Sequence, residues 1–134
     1  MSKMPKRARE RLERPVKDDV KAALDEFGWY WFMPPANMYG KSGISDILAI
    51  KAGVFLAIET KNKTGVTENQ RGFLNSIRAE KGFGFVVNRP RVEHFKAFLG
   101  SFDRSVKAKM ADKEVAPADG AMMLNAIKEL TEDL

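Results

Sequence analysis

Two acidic residues and a lysine stand beside apolar segments where charged side chains are unfavourable. Asp46 interrupts the apolar segment Ile44–Ile50, and Glu59 follows directly on the segment Val54–Ile58. An unpaired carboxylate in such surroundings is costly, so each acid must be hydrogen bonded or paired with a cation. Lys61 stands two residues after Glu59, and the alternation of side chains along a strand places both on the same face.

The spacing of the two acids predicts that they face each other across a β-hairpin. The dipeptide Ala52-Gly53 separates the two apolar segments and favours a two-residue turn. Asp46 and Glu59 lie equally far from this turn, so they pair across the strands with Cβ atoms roughly 5 Å apart. A bulge at the turn would instead shift the pairing by one residue.

Facing carboxylates repel and raise each other's pKa unless a cation lies between them. The cation is either a divalent metal or a buried lysine. A site with oxygen ligands and no cysteine or histidine favours Mg²⁺ or Mn²⁺, which keep water and positions for a phosphate. Lys61 then stands where it can hold or deprotonate an attacking water. The alternative is a purely structural ion pair of the acids with Lys61.

The composition of the 134-residue chain excludes several other chemistries. The chain has no cysteine and only one histidine, His94, so disulfides, thiolate chemistry and two-imidazole zinc sites are ruled out. Its longest apolar run, Val54–Ile58, is far shorter than the roughly 20 residues that a membrane helix needs. The N-terminus lacks the apolar region of a secretory signal. We therefore expect a cytoplasmic protein with no membrane partner.

The net charge of +5 is distributed unevenly along the chain. Residues 1–14 carry six basic side chains against two acidic ones, whereas residues 101–134 carry an excess of acids. A basic arm of this kind is either a solvated terminus or a segment that lies along the phosphates of a nucleic acid.

The elements that position the acids follow from the spacing of apolar residues and from helix and turn signals. Thr67 is predicted to cap a helix, with Gln70 as its capping-box partner. In chain order, the sequence predicts a helix from Pro15 to Gly28, strands at Trp29–Met33, Ile44–Lys51 and Val54–Lys61, a helix from Thr67 to near Gly82, a strand at Phe83–Val87, a helix from Pro90 that ends at Gly100, an open polar stretch over 101–120, and an amphipathic helix from Ala121 to Leu130.

These elements predict an α/β fold with the core order α-β-β-β-α-β, a mixed sheet flanked by helices, and a C-terminal helical extension. The two strands of the predicted hairpin are apolar on both faces, which indicates a central position in the sheet. The chain divides into a basic arm at 1–14, a domain at 15–100, and a polar linker with the C-terminal amphipathic helix at 101–134.

Three segments together resemble the VRR-NUC (virus-type replication-repair nuclease) domain of the PD-(D/E)xK nuclease superfamily. They are Tyr39-Gly40-Lys41-Ser42-Gly43-Ile44-Ser45-Asp46, Phe55-Leu56-Ala57-Ile58-Glu59-Thr60-Lys61 and Thr67-x-x-Gln70. The resemblance covers roughly residues 15–90. It implies a restriction-endonuclease-like core and metal-dependent hydrolysis of DNA phosphodiester bonds.

The resemblance also implies roles for individual residues. Asp46 corresponds to the first acid of the motif, Glu59 to the second, Lys61 to the motif lysine and Gln70 to a glutamine on the following helix. Ser45 stands where the motif name expects proline, which is a matter of backbone preference rather than of chemistry.

Further residues complete the site that the resemblance implies. Asp46, Glu59 and the Thr60 carbonyl would hold Mg²⁺ or Mn²⁺. Members of the family usually also have an acid on the first helix; of Asp18 and Asp19, we favour Asp19. Side chains near the motif are candidate contacts to the DNA backbone, although each is more often simply solvated: Tyr39, Lys41, Lys63 and Arg71.

The sequence thus favours a magnesium- or manganese-dependent endonuclease acting on branched DNA, such as a junction or flap, or on duplex DNA. By association with its family, it would serve bacteriophage replication, repair or recombination, as a homodimer or higher oligomer. Three alternatives stay open: a non-catalytic DNA-binding protein on the same fold, a nuclease acting on RNA, and a structural domain with a buried salt bridge.

Overall fold

The computed structural model describes residues 15–35, 43–62 and 65–132. The basic arm at 1–14 and three predicted DNA contacts, Tyr39, Lys41 and Lys63, lie outside these residues. Within them, no helix is long and apolar enough to cross a membrane.

The first six elements of the structure follow the predicted order α-β-β-β-α-β, and two helices come after them. In chain order the elements are helix α1 (Val16–Glu26), strands β1 (Tyr30–Phe32), β2 (Ile47–Lys51) and β3 (Val54–Thr60), helix α2 (Glu68–Ala79), strand β4 (Phe83–Val87), a 3₁₀ turn (Arg89–Arg91), and helices α3 (Val92–Met110) and α4 (Pro117–Thr131). The α/β class predicted from the sequence is confirmed.

The four strands form one mixed sheet in the order β1-β2-β3-β4. β1, β2 and β3 pair antiparallel, whereas β3 and β4 pair parallel through the crossover helix α2. β2 and β3 are therefore the central strands, as their two-sided apolar character predicts.

The hairpin between β2 and β3 has the predicted two-residue turn and register. Ala52 and Gly53 both have positive φ angles, 50° and 78°, which is the geometry of a type I′ turn. The pairing runs outward from Lys51 and Val54 without a bulge. β2 begins only at Ile47, however, three residues later than the sequence predicts.

Helices cover the two faces of the sheet unequally. α1, α3 and α4 bury the main core against one face, where Leu56, Ile58 and Phe85 are fully enclosed. α2 covers part of the other face with a smaller cluster that includes Ala57 and Leu74. Since side chains alternate along a strand, a residue two positions after Ala57 points to the α2 side.

The helix predicted to end at Gly100 instead continues to Met110, so the prediction of an open polar stretch from 101 was wrong. Gly100 is buried within the helix, and Ser105 on the next turn donates its hydroxyl hydrogen bond to the Ser101 carbonyl at 2.8 Å. Burial against the core outweighs the weak helix propensity of glycine here. The predicted C-terminal helix is present as α4, and it joins the same core through Leu130.

Phe98 provides a test of this packing because its ring lies 5.4 Å from Phe83, 5.0 Å from Phe85 and 6.0 Å from Phe102, centroid to centroid. We expect Phe98→Ala to lower the free energy of unfolding by about 3–5 kcal/mol, because it leaves a cavity among these rings. Urea denaturation measures the loss. Met110→Ala, at a position 84% exposed on the same helix, should change it by less than about 0.5 kcal/mol. Equal effects would contradict the described packing.

Candidate active site

Asp46 lies on a bend immediately before β2, with its carboxylate against the end of β3. Its Oδ2 accepts hydrogen bonds from the Thr60 backbone N–H at 2.9 Å and from the Thr60 hydroxyl at 2.8 Å. The backbone N–H of the next residue, Lys61, points the opposite way and donates to the Val87 carbonyl on β4 at 3.0 Å. The antiparallel ladder therefore stops at Ile47, and the Asp46 carboxylate takes the place of a backbone acceptor. This explains why β2 is shorter than predicted.

Glu59 is the buried acid of the site, with only 2% of its surface exposed. It points to the α2 side of the sheet, where its Oε1 accepts a hydrogen bond from Gln70 Nε2 at 2.7 Å. The Lys61 ammonium lies 3.6 Å from the same oxygen. The other oxygen, Oε2, is also buried, and it has no hydrogen-bond partner among the described residues.

Gln70 connects this acid to the start of helix α2. Its Oε1 accepts hydrogen bonds from Lys61 Nζ and from the Thr67 backbone N–H, each at 2.9 Å. Thr67 Oγ1 in turn accepts from the Gln70 backbone N–H at 3.2 Å, which completes the predicted capping box. One side chain thus closes the helix terminus and bridges Glu59 and Lys61.

Gly43 brings the segment before Asp46 into direct contact with the first turn of α2. Its φ is +74°, and a Cβ atom there would lie 2.3 Å from the backbone carbonyl carbon of Asn69. Only glycine allows this backbone to approach so closely in this conformation. The approach holds the Asp46 segment and the helix that carries Gln70 side by side.

The structure places four predicted site residues, Asp46, Glu59, Lys61 and Gln70, around one open cleft of about 610 Å³. Thr60 also lines this cleft. The complete lining is Pro15, Lys17, Asp18, Asp46, Glu59, Thr60, Lys61, Asn62 and Gln70.

The acids of helix α1 are divided between the cleft and a different contact. Asp18 lines the cleft, whereas Asp19, which the sequence analysis favours, is hydrogen bonded and ion paired with Arg89. Adjacent residues on a helix point about 100° apart, so the rotation of α1 on the sheet decides which acid faces the cleft. The predicted DNA contact Arg71 lies half-buried on α2 and is not part of the cleft lining.

Lys17 and Asn62 are two cleft residues that the sequence analysis does not identify. Asn62 Oδ1 accepts a hydrogen bond from the Val16 backbone N–H at 3.4 Å, which ties the end of β3 to the start of α1. No local sequence pattern predicts this hydrogen bond, because its partners lie 46 residues apart in the sequence.

Burial raises the pKa of Glu59 to about 7, and the negative charge of Asp46 adds to the rise. The charge and hydrogen bonding of Lys61, and a weaker interaction with the Asp46 backbone, lower this pKa without cancelling the rise. The carboxyl group is therefore held in surroundings that disfavour its charged form, and a further cation beside it would relieve that penalty.

The donor atoms of the cleft fit a hard divalent cation. Among residues 15–35, 43–62 and 65–132, no group of three His, Cys, Asp or Glu side chains is arranged to hold a metal. Asp46 and Glu59 supply two carboxylates, and the buried Oε2 of Glu59 needs a partner. Mg²⁺ and Mn²⁺ are commonly held by one or two carboxylates, with water filling the other positions, so the residues present fit such an ion.

Comparison with known proteins gives no family assignment. No family model matches the chain, and no curated protein matches it, so the VRR-NUC resemblance stays a prediction. Solved structures that are similar to it include the Holliday junction resolvase Hjc of the hyperthermophilic archaeon Archaeoglobus fulgidus, with 18% identity over 55% of this chain and a TM-score of 0.45. The match spans 64% of the resolvase, less than two thirds of its length.

The raised pKa of Glu59 predicts an unusual pH dependence of stability in the metal-free protein. The pKa is about 7 in the folded state against an ordinary 4.5, so the folded state binds the proton more tightly than the unfolded chain. The stability of the wild type should therefore fall as pH rises through this window, by up to about 3 kcal/mol from Glu59 itself.

Urea denaturation in EDTA at about pH 5 and about pH 8 measures this loss. Glu59→Gln removes the titrating group and should show a smaller fall over the same range. Glu93→Gln, whose side chain is 84% exposed on α3, should keep the wild-type pH dependence. The same pH dependence in wild type and Glu59→Gln would show that burial does not raise this pKa.

Proposed function

We propose that the protein is a metal-dependent endonuclease that hydrolyses phosphodiester bonds in DNA. The observation that carries the proposal is the buried Glu59 carboxylate, which shares one cleft with Asp46 and Lys61 and whose Oε2 has no hydrogen-bond partner within residues 15–35, 43–62 and 65–132. Two carboxylates with an adjacent lysine at the end of a central strand are suited to bind a divalent cation next to a phosphate.

Each protein group has a definable task in this reaction. Asp46 and Glu59, with the Thr60 carbonyl, would hold Mg²⁺ or Mn²⁺. When bound, such an ion polarises a phosphoryl oxygen and lowers the pKa of water. Lys61, held at 2.9 Å by Gln70 Oε1, places its ammonium at the cleft, where it can hold the attacking water and offset phosphate charge.

Gln70 would hold both the Glu59 carboxylate and the Lys61 ammonium in place. Its amide nitrogen donates to Glu59 and its amide oxygen accepts from Lys61, so the carboxylate and the ammonium keep a set separation. Preorganised groups of this kind lower the barrier because they need no rearrangement during the reaction.

We propose branched DNA, such as a junction or flap, as the preferred substrate, and replication, repair or recombination of bacteriophage DNA in the cytoplasm as the setting. Lys17 adds a positive side chain to the cleft wall. The predicted contacts Tyr39, Lys41, Lys63 and Arg71 and the basic arm at 1–14 would follow the sugar–phosphate backbone.

The first prediction of this function is metal-dependent cleavage of labelled DNA. Wild-type protein with Mg²⁺ or Mn²⁺ should cleave a four-way junction or flap faster than a linear duplex, and EDTA should abolish the product. Glu59→Gln and Lys61→Met should each lower the cleavage rate by about 10²-fold or more, because each removes a charged group from the reacting site. Product analysis on denaturing gels measures these rates.

Glu93→Gln serves as the matched control, since it makes the same chemical change at an exposed acid on α3 and should cleave at the wild-type rate. Salt-sensitive DNA binding without cleavage in the wild type would support the non-catalytic DNA-binding function instead. Faster cleavage of the matched RNA would assign the activity to RNA. Neither binding nor cleavage would leave the cluster as a structural ion pair.

We also propose that the protein acts as a homodimer. β1 is an edge strand, and one sheet face beside it exposes large apolar side chains: Tyr30 is 72% exposed, Phe32 47% and Ile50 43%. An exposed apolar patch next to an unpaired strand edge favours association, and a second copy placed about a two-fold axis would cover both.

Sedimentation equilibrium of the wild type should give a mass of about twice 15.1 kDa. Phe32→Lys should shift the mass to that of one chain, because it places a charge inside the covered patch. Leu124→Lys, at an equally apolar position that is 70% exposed on α4, should leave the dimer intact. A monomeric wild type at micromolar concentration would contradict the proposal.

A further inference from the structure

Thr60 makes two contacts to Asp46 that its predicted role as a carbonyl ligand does not require. Its backbone N–H and its hydroxyl both donate to Oδ2, at 2.9 Å and 2.8 Å. Among the described residues, no hydrogen bond is directed to the other oxygen, Oδ1. The carboxylate is therefore held through one oxygen, and the residue lines the cleft.

Asp46 depends on this contact because little else orients it. The residue lies on a bend before β2, outside the strand ladder, and its side chain is only partly buried. Two other acids, Asp18 and Glu59, line the same cleft and repel it. Without a donor on the β3 side, the Asp46 side chain can rotate about its χ1 and χ2 angles, which would change the directions of both carboxylate oxygens.

We propose that Thr60 is a positioning residue whose hydroxyl holds Asp46 in the orientation that binds the divalent cation. The inference rests on the proposed nuclease function and adds to it the residue that orients the first metal-binding acid. Hydrogen bonds to an ionised acceptor are about twice as strong as those between neutral groups. Partners of metal ligands typically change metal affinity by about 10- to 100-fold when they are removed.

The two contacts can be separated experimentally because only one of them belongs to the side chain. Thr60→Val keeps the shape, the β-branch and the backbone N–H, and it removes the hydroxyl alone. Thr60→Ser keeps the hydroxyl and removes the methyl group. A role of the hydroxyl predicts that serine restores what valine loses, whereas a packing role predicts the reverse.

Calorimetric titration of the full chain with Mn²⁺, without DNA, provides the direct readout. We expect Thr60→Val to bind Mn²⁺ about 10-fold or more weakly than wild type, and Thr60→Ser to bind within about 3-fold of it. In cleavage assays, Thr60→Val should need a correspondingly higher Mn²⁺ concentration for half-maximal rate and should recover most of the rate at saturation. Glu59→Gln should not recover in this way, because it lacks a ligand rather than its orientation.

A metal-free measurement tests the contact itself. The melting temperature should fall on Thr60→Val in the wild-type background, whereas the same substitution should have little effect in a chain that already carries Asp46→Ala. Equal effects in both backgrounds would show that the hydroxyl is not coupled to Asp46 and would overturn the inference.

The remaining outcomes distinguish this inference from the function on which it rests. If wild type binds Mn²⁺ and cleaves DNA while Thr60→Val keeps the wild-type affinity, the positioning role is overturned and the nuclease function stands. Weakening by serine but not by valine overturns it in favour of packing, and equal weakening by both overturns it because the hydroxyl then does not decide the affinity. If wild type neither binds Mn²⁺ nor cleaves, the proposed function itself fails.

Discussion

The arrangement of the site depends on one constraint, the burial of the Glu59 carboxylate at the end of a central strand. A charge enclosed there is costly, and the neighbouring Asp46 increases the cost. The Gln70 amide and the Lys61 ammonium reduce it at one oxygen, while the other oxygen stays without a partner among the described residues. The protein therefore retains an unfavourable group whose surroundings are suited to a cation, as expected of a functional site rather than of a stabilising ion pair.

Local helix chemistry and site chemistry share the same side chain. Gln70 closes the capping box of α2 with Thr67, and it simultaneously contacts Glu59 and Lys61. The start of the helix is thus linked to the acid on the sheet by one side chain, and Gly43 lets the Asp46 segment reach the same turn. A change in the first turn of α2 would therefore alter both the stability of the helix and the orientation of Glu59 and Lys61. The hydrogen bonds of Gln70 couple these two properties.

Predictions from the sequence succeeded where the signals are local and failed where burial decides. The turn at Ala52-Gly53 determines the hairpin register from adjacent residues, and the capping pair of α2 is three residues apart. The end of α3 is different: Gly100 resembles a helix stop, but the following turns pack on the core and the helix continues to Met110. A glycine inside a helix costs about 1 kcal/mol relative to alanine. The burial of a single aromatic side chain contributes more than this amount.

By itself, the sequence determined the order of elements, the register of the hairpin, and the placement of Lys61 on the same side as Glu59, because strand alternation and turn length dictate these relations. The predicted pairing of Asp46 with Glu59 is not part of the ladder, which ends at Ile47 and Ile58. Only the tertiary structure decided that Asp18 rather than Asp19 lines the cleft and that Thr60 holds Asp46. The first depends on how α1 is rotated on the sheet. The second depends on where the strand ladder ends, and this is set by competition between side-chain and backbone acceptors for the same N–H group.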